Sequence, residues 1–422
     1  MFIRLGLLRL VRNLSLDRSE RRRLLKASVI LLRHRRRSLA LLRIFLRRLP
    51  TSLHNKLWLW RCLACSDFAV CQLSTSQQMS SELVKAISST QAYADAASTL
   101  ARDRNGYFQR GFEYRSLSRF LCEQPPERLL VFHHYDRRGF LPDSWRDALL
   151  VFQAAGWQVV ISTSNIEPFT SSILEQSGVY IARRLNIGLC VGAYRDLAIL
   201  FDSLPEVRSR LSSLVFCNDS NLLVVSPEVL LAQLEEWSSV DCEGSSSSSS
   251  MPFLSGFTDS FERHSYHLQS YFIHANKPLL DHPAWLRVWL YFNIDGTKDE
   301  LIDNGEIGLS QSLLASFIQI QPAYPLVRGL LLDENMADEL NRYAITQPEH
   351  VNQTLFAWRS LLARGFPFIK KHILFSFLDQ QGQHMVLTQL SRLIPEERFD
   401  LLARDIEQLM INRYSSVYRH IV

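Results

Sequence analysis

The chain has 422 residues, 47% of them hydrophobic and 21% charged, which excludes a disordered or fibrous protein and provides for a sizeable core in two or three structural units. Its net charge of +5 hides an asymmetry: Met1 to Pro50 carries fifteen Lys and Arg against Asp17 and Glu20, a net of +13, so the remaining residues carry −8. Seven cysteines, at 62, 65, 71, 122, 190, 217 and 242, are an odd and scattered set, which predicts reduced thiols in a cytosolic compartment rather than a disulfide framework.

Met1 to Pro50 interleaves Arg21-Arg22-Arg23, Arg33-His34-Arg35-Arg36-Arg37 and Arg47-Arg48 with Leu and Ile. Leu39, Leu42, Leu46 and Leu49 fall on one helical stripe. This predicts an arm that buries Leu in an anionic membrane surface and sets Arg among the headgroups; it is too rich in Leu and Ile for a nucleic-acid tail. The arginines leave no clean signal peptide, and no uncharged apolar window is long enough to span a bilayer. Thr51 to Asn105 reads as helical, within a region running to residue 125. Cys62 and Cys65 lie between Trp58, Trp60 and Phe68 without a second ligand pair, so they predict helix packing rather than a zinc site.

After Pro125-Pro126 the pattern alternates between strands and helices. Strands are expected at Arg128 to His133, Trp157 to Ser162, Gly178 to Ala182 and Leu214 to Cys217. Helices are expected at Ser144 to Ala155, ended by Gly156, and at Gly192 to Leu204 and Pro227 to Trp237. Such βαβ units predict an α/β core over 126–325, a mostly parallel sheet with helices on both faces. Gly244 and the serine run 245–250 read as a low-complexity loop. A strand is expected near Phe317 to Gln321. A helical C-terminal region over 326–422 follows, with Asn352 capping a helix to Arg364 and a last helix from Pro395 to Tyr414.

Four features carry candidate chemistry. Val131-Phe132-His133-His134-Tyr135-Asp136 closes the first strand, and Asn186-Ile187-Gly188 leads through Gly192-Ala193-Tyr194-Arg195-Asp196 into a helix. Asn218-Asp219-Ser220 ends a later strand, where open α/β sheets bind ligands. Gly305-Glu306-Ile307-Gly308 puts an acid at an expected helix start. The steps from Val131 to Asp219 and from Asp219 to Glu306 are nearly equal, 88 and 87 residues. Between them Tyr266-His267-Leu268-Gln269-Ser270-Tyr271-Phe272 gathers groups that could hydrogen-bond a polyhydroxylated substrate. His133, His134 and Asp136 could instead form a hydrolase-like metal site, but adjacent strand residues point to opposite faces.

In this order and spacing the chain resembles glycosyltransferases of the GT-A type. At finer grain it resembles the rhamnan synthesis protein F family of rhamnosyltransferases. The likeness spans about Arg128 to Ile373 and rests on the Asn-Ile-Gly to Arg-Asp run, Asn-Asp-Ser, Tyr-His-Leu-Gln-Ser-Tyr-Phe, and Asn352-Gln353-Thr354-Leu355-Phe356-Ala357-Trp358 continuing to Gly365-Phe366-Pro367-Phe368-Ile369-Lys370. It departs at Asn218, where the wider fold often has an Asp, and at Leu189-Cys190-Val191-Gly192, where the family shows aromatic-Asp-Phe-Gly.

The resemblance implies a nucleotide-sugar-binding core that moves L-rhamnose from dTDP-rhamnose, with inversion, to a growing cell-surface polysaccharide or lipid-linked acceptor. It implies Glu306 as catalytic base and Asp219 as ligand of Mg²⁺ or Mn²⁺. The donor would meet His134, Asp136, Gly188, Tyr194 and Arg195, and the acceptor His267, Gln269 and Ser270. With the basic arm, the expected place is the inner face of the plasma membrane. Transfer of another nucleotide sugar, or a non-catalytic carbohydrate-binding role in polysaccharide assembly, remains open at this point.

Overall fold

The computed structural model describes residues 112–239 and 251–418, apart from 293, 295, 334, 346–349 and 377–379. The basic arm, the helical expectation for Thr51 to Asn105, the Cys62–Cys65 pair and the serine tract lie outside these residues.

Helix α1 (Tyr114–Glu123) buries Leu117 and Leu121, four residues apart and so on one face. Then come β1 (Arg128–His134), α2 (Asp143–Ala154), β2 (Gln158–Thr163), α3 (Pro168–Gln176), β3 (Tyr180–Arg183), α4 (Leu189–Asp202), α5 (Pro205–Arg210) and β4 (Ser213–Asn218). Gly156, at φ 85, ends α2 as expected, because a left-handed C′ residue costs glycine nothing. Helix α3 was not expected; Pro168 opens it at a position where proline's fixed φ favours a helix. Helix α4 begins at Leu189, three residues before its predicted start.

The chain continues through β5 (Asn221–Leu223), α6 (Pro227–Ser239), β6 (Phe253–Ser260), β7 (His267–Leu268), β8 (Phe272–Asn276), α7 (Lys277–Leu280) and α8 (Pro283–Tyr291). Helix α9 (Lys298–Leu301), a π-helical turn (Ile302–Ile307) and α10 (Gly308–Ala315) run on without a break and lead to β9 (Gln319–Tyr324). Last come α11 (Leu326–Leu332), α12 (Met336–Arg342), α13 (Gln353–Phe356), α14 (Trp358–Ala363), β10 (Phe368–Lys370), α15 (Lys371–Ser376), α16 (Gln380–Leu393) and α17 (Glu396–Tyr418). The single helix expected from Asn352 to Arg364 is two short ones parted at Ala357, and the Asn352 side chain does not cap it.

The main sheet runs β3-β2-β1-β4-β8-β6, with β7 and β9 both on β6. β1 lies parallel to β2 and β4, β2 to β3 and β6 to β9; β8 runs antiparallel to β4 and β6. The protein is therefore α/β with a mostly parallel central sheet. Alternate β1 residues enter two cores: Leu129 and Val131 meet α4 and α8, while Leu130 and Phe132 meet α2 and the C-terminal helices. Burial on both faces is why the parallel strands read as unbroken apolar runs.

The C-terminal region packs into both cores: Leu326, Leu330 and Leu340 lie in the first, and Trp358, Phe368 and Leu402 in the second. β10 pairs with β5, and Trp145 stacks on Phe368 with ring centroids 5.7 Å apart. The buried Asp405 carboxylate of α17 accepts the Asp143 and Ser144 N–H groups at 2.7 and 3.1 Å, capping the start of α2.

Polar residues inside the antiparallel half are paired. His274 on β8 meets Ser213 Oγ at 2.8 Å and Ser255 Oγ at 3.1 Å, and burial lowers its pKa to about 4 from the ordinary 6.5. Between those values the unfolded chain takes up a proton that the folded chain refuses, so stability is lost as pH falls through this window. The stability advantage of wild type over His274→Gln, read by urea unfolding, should shrink from pH 6.5 toward 4. Groups common to both proteins cancel in that difference, so a constant advantage would contradict the assignment. Among the described residues no helix is long and apolar enough to cross a membrane.

Candidate active site

From β1 the chain moves outward to β2 and β3, then returns to β4 on the other side of β1. That reversal opens a crevice beyond the carboxyl ends of β1 and β4, the place where open α/β sheets take ligands. His133 and His134 end β1 there, and Asn218-Asp219 end β4.

The Asp219 turn is held from three sides. Its N–H donates to His133 O at 3.2 Å, Ser220 N–H donates to Asn218 Oδ1 at 3.0 Å, and Lys371 N–H donates to Ser220 O at 3.0 Å. The last bond extends the β5–β10 pairing and brings Lys371 Nζ to 3.1 Å from Asp219 Oδ2. Burial alone would push the Asp219 carboxyl up; the Lys371 ammonium, with His134 and His133, more than offsets it and leaves the pKa below its ordinary value.

Glu306 reaches the site from the π-helical turn, not from a helix start, because α9 precedes that turn without a break. The dipole effect of a helix N-terminus therefore does not act on it. A π turn inserts a residue and re-aims side chains, a distortion concentrated at functional sites. Gly305 makes this one fit: a Cβ there would lie 2.6 Å from Val191 Cγ1 and 2.9 Å from Phe292 Cε2. Glu306 Oε1 accepts the Ser270 N–H at 2.8 Å. Its other oxygen has no hydrogen-bond partner among the described residues. Cys190, at the start of α4, is pushed up to about 12 by burial, then by the charges of Glu306 and Asp219.

Tyr194 ties these parts together. Its buried hydroxyl donates to Ser270 O at 3.2 Å and accepts from Asn218 Nδ2 at 3.1 Å, while its ring stacks on Phe216. Expected to touch a donor, it is a strut between the Asp219 turn and the Ser270–Glu306 contact. Arg195 lies in a buried ionic group: Asp196 binds Arg195 Nη1 at 2.7 Å and Arg184 Nε at 3.0 Å. Arg184 also donates to Leu185 O and Ile187 O, both at 2.8 Å, and so shapes the loop before α4. Gly188 turns that loop at φ 74, and a Cβ on Gly192 would come 2.5 Å from Ile187 O. Of the expected donor contacts, Gly188 lines an open cleft of about 690 Å³, beside Asn186, Ile187, Ile294, Lys298 and Glu300.

The histidines divide as strand alternation requires. His134 is fully buried, with Nδ1 on Thr163 Oγ1 at 3.0 Å and Nε2 donating to Phe140 O at 2.9 Å. His133 is the one beside the crevice, with Nε2 at 3.2 Å from Asn186 Oδ1; burial, then Arg184, lowers its pKa to about 4, so it is neutral at pH 7. Asp136 Oδ1 accepts Arg138 and Phe140 N–H groups and closes its own turn. His267 Nδ1 donates to Ser265 O, and Gln269 bridges Thr258 and Asn352. All three expected acceptor contacts are buried, and Ser270 is the one bonded to Glu306, through its backbone N–H.

The donor set around Asp219 does not fit a divalent cation. One carboxylate oxygen already holds an ammonium, and Asn218 Oδ1 is turned into the backbone. Among the described residues no group of three His, Cys, Asp or Glu could hold a metal ion. What sequence reasoning missed is the lysine pair. Lys370 and Lys371 close the Phe-Pro-Phe-Ile run, and the β5–β10 pairing alone brings them to the crevice.

No family model, no curated protein and no solved structure matches this chain.

Proposed function

We propose that this protein is a glycosyltransferase with a GT-A-like core that moves L-rhamnose from dTDP-rhamnose, with inversion, to a growing cell-surface polysaccharide or its lipid-linked precursor. One observation carries the reading: Asp219, paired with Lys371, and Glu306, paired with the Ser270 N–H, come from distant stretches of chain and are tied together by Tyr194, whose hydroxyl bonds both Asn218 and Ser270. The sugar and nucleotide come from the resemblance to the rhamnan synthesis protein F family; the convergence supports the reaction type.

Sugar transfer needs a base for the acceptor hydroxyl and positive charge for the departing diphosphate. With Oε1 pinned by Ser270 N–H, Glu306 presents its second oxygen to an incoming hydroxyl. That hydroxyl oxygen attacks the anomeric carbon from the face opposite the diphosphate. The carbon–oxygen bond to the diphosphate breaks, the nucleoside diphosphate leaves with the electron pair, and Glu306 takes the proton. Attack from the opposite face is what inverts the configuration. The arm over 1–50, with its net +13, would hold this chemistry against the anionic inner face of the plasma membrane.

A thermal-shift titration tests the nucleotide-sugar reading. A ligand bound by the folded state alone, at a hundred times its Kd, adds about 2.7 kcal/mol of stability. dTDP-rhamnose should raise Tm more than UDP- or GDP-sugars do. A larger rise with one of those would reassign the donor, and no rise with any nucleotide sugar would end the reading.

A further inference from the structure

We propose that Lys371 and Lys370, rather than a divalent cation, neutralise the diphosphate of the donor; this rests on the nucleotide-sugar reading above. Lys371 Nζ stands 3.1 Å from Asp219 Oδ2, at the position beside the carboxylate that a metal ion would need. A second cation there would be repelled at close range, and among the described residues no group of three His, Cys, Asp or Glu surrounds Asp219 to outweigh that repulsion. Asn218, the departure from the acidic pair of the wider fold, spends its amide on Ser220 N–H and the Tyr194 hydroxyl.

Lys370 supplies the second charge. Its Nζ has a long contact of 3.4 Å to Thr354 Oγ1, and among the described residues no carboxylate lies within salt-bridge distance of it. Burial lowers its pKa, opposed by the charges of Glu306 and Glu262, so this ammonium sits in the site short of a direct counterion. β10 fixes both lysines beside Ser220, at the carboxyl edge of the sheet. Asp219 is then a positioning residue: it holds Lys371 extended toward the crevice until the diphosphate oxygens share the ammonium. Charge-assisted bonds of this type are about twice as strong as neutral ones, which suits a leaving group whose charge grows as it departs.

The test is calorimetric titration of dTDP into the full chain after EDTA treatment, with Mg²⁺ or Mn²⁺ then added back. Kd should agree within about twofold with and without metal, because each charge-assisted contact is supplied by the protein. Lys371→Ala should weaken dTDP about 10–100-fold, the loss of one hydrogen bond to a charged group, and added metal should not restore it. Lys371→Arg keeps the charge and should retain most of the affinity. Metal-dependent binding by wild type would overturn the lysine assignment while leaving the nucleotide-sugar reading in place. So would wild-type affinity in Lys371→Ala. If neither dTDP, UDP nor GDP binds under any condition, the nucleotide-sugar reading falls and takes this inference with it. Should Lys371→Ala fail to fold, the wild-type EDTA comparison still decides.

Discussion

Replacing Glu306 with Gln should lower kcat by about 10²–10⁴-fold, the usual loss of a positioned general base. Gln keeps the carbonyl oxygen that accepts the Ser270 N–H, so the π turn and its packing on Val191 should survive. Affinity for dTDP should stay near wild type, because the diphosphate is held by the lysines rather than by Glu306. A fall in kcat without a fall in donor affinity marks an interaction made in the transition state. If Glu306 merely anchors Ser270, turnover stays near wild type and Tm falls instead. Turnover, dTDP affinity and Tm measured on the same variant separate the two roles.

Asp196→Ala should be the most destabilising single change near the site, at about 3–5 kcal/mol, the cost of stripping one partner from a buried ion pair. Arg184 and Asp196 both have fully buried side chains, so the guanidinium would keep its charge in the core without a carboxylate. The damage should spread to the Leu185–Ile187 loop, which Arg184 holds through two carbonyls. Urea midpoints of wild type, Asp196→Ala and the paired apolar replacement Arg184→Met with Asp196→Leu check this. The double variant should recover only part of the loss, since it removes the stranded Arg184 charge but leaves Arg195 without its carboxylate and the Leu185 and Ile187 carbonyls without their donor. A loss below about 1 kcal/mol in Asp196→Ala would place the pair with weakly contributing surface bridges.

The parallel half of the sheet was legible because β1 to β4 are apolar runs, the signature of strands covered on both faces. The antiparallel half was not. β6 and β8 carry Ser255, Asp259 and His274 inward, and those residues are buried through partners on neighbouring strands that no local pattern reveals. Asp219 and Glu306 were named from the sequence as evenly spaced acids, and the Ser270 contact joins Glu306 to the segment between them. The geometry of Glu306 was not, because a π turn inside a continuous helix leaves only Gly305 as its trace. His134 was chosen over His133, although alternation allows only one to face the crevice; the choice needed the positions of Asn186 and Thr163. The lysines escaped because their place depends on β10 pairing with β5 across a long stretch of sequence.

The measurement that bears most directly on the proposed reaction is the release of dTDP from dTDP-rhamnose by the full chain, with and without a saccharide acceptor. Release should depend on the acceptor, yield an α-linked product, persist in EDTA and fall with Glu306→Gln by the factor given above. Saccharide binding without release of a nucleoside diphosphate from any nucleotide sugar offered would contradict it, and would make this a carbohydrate-binding protein.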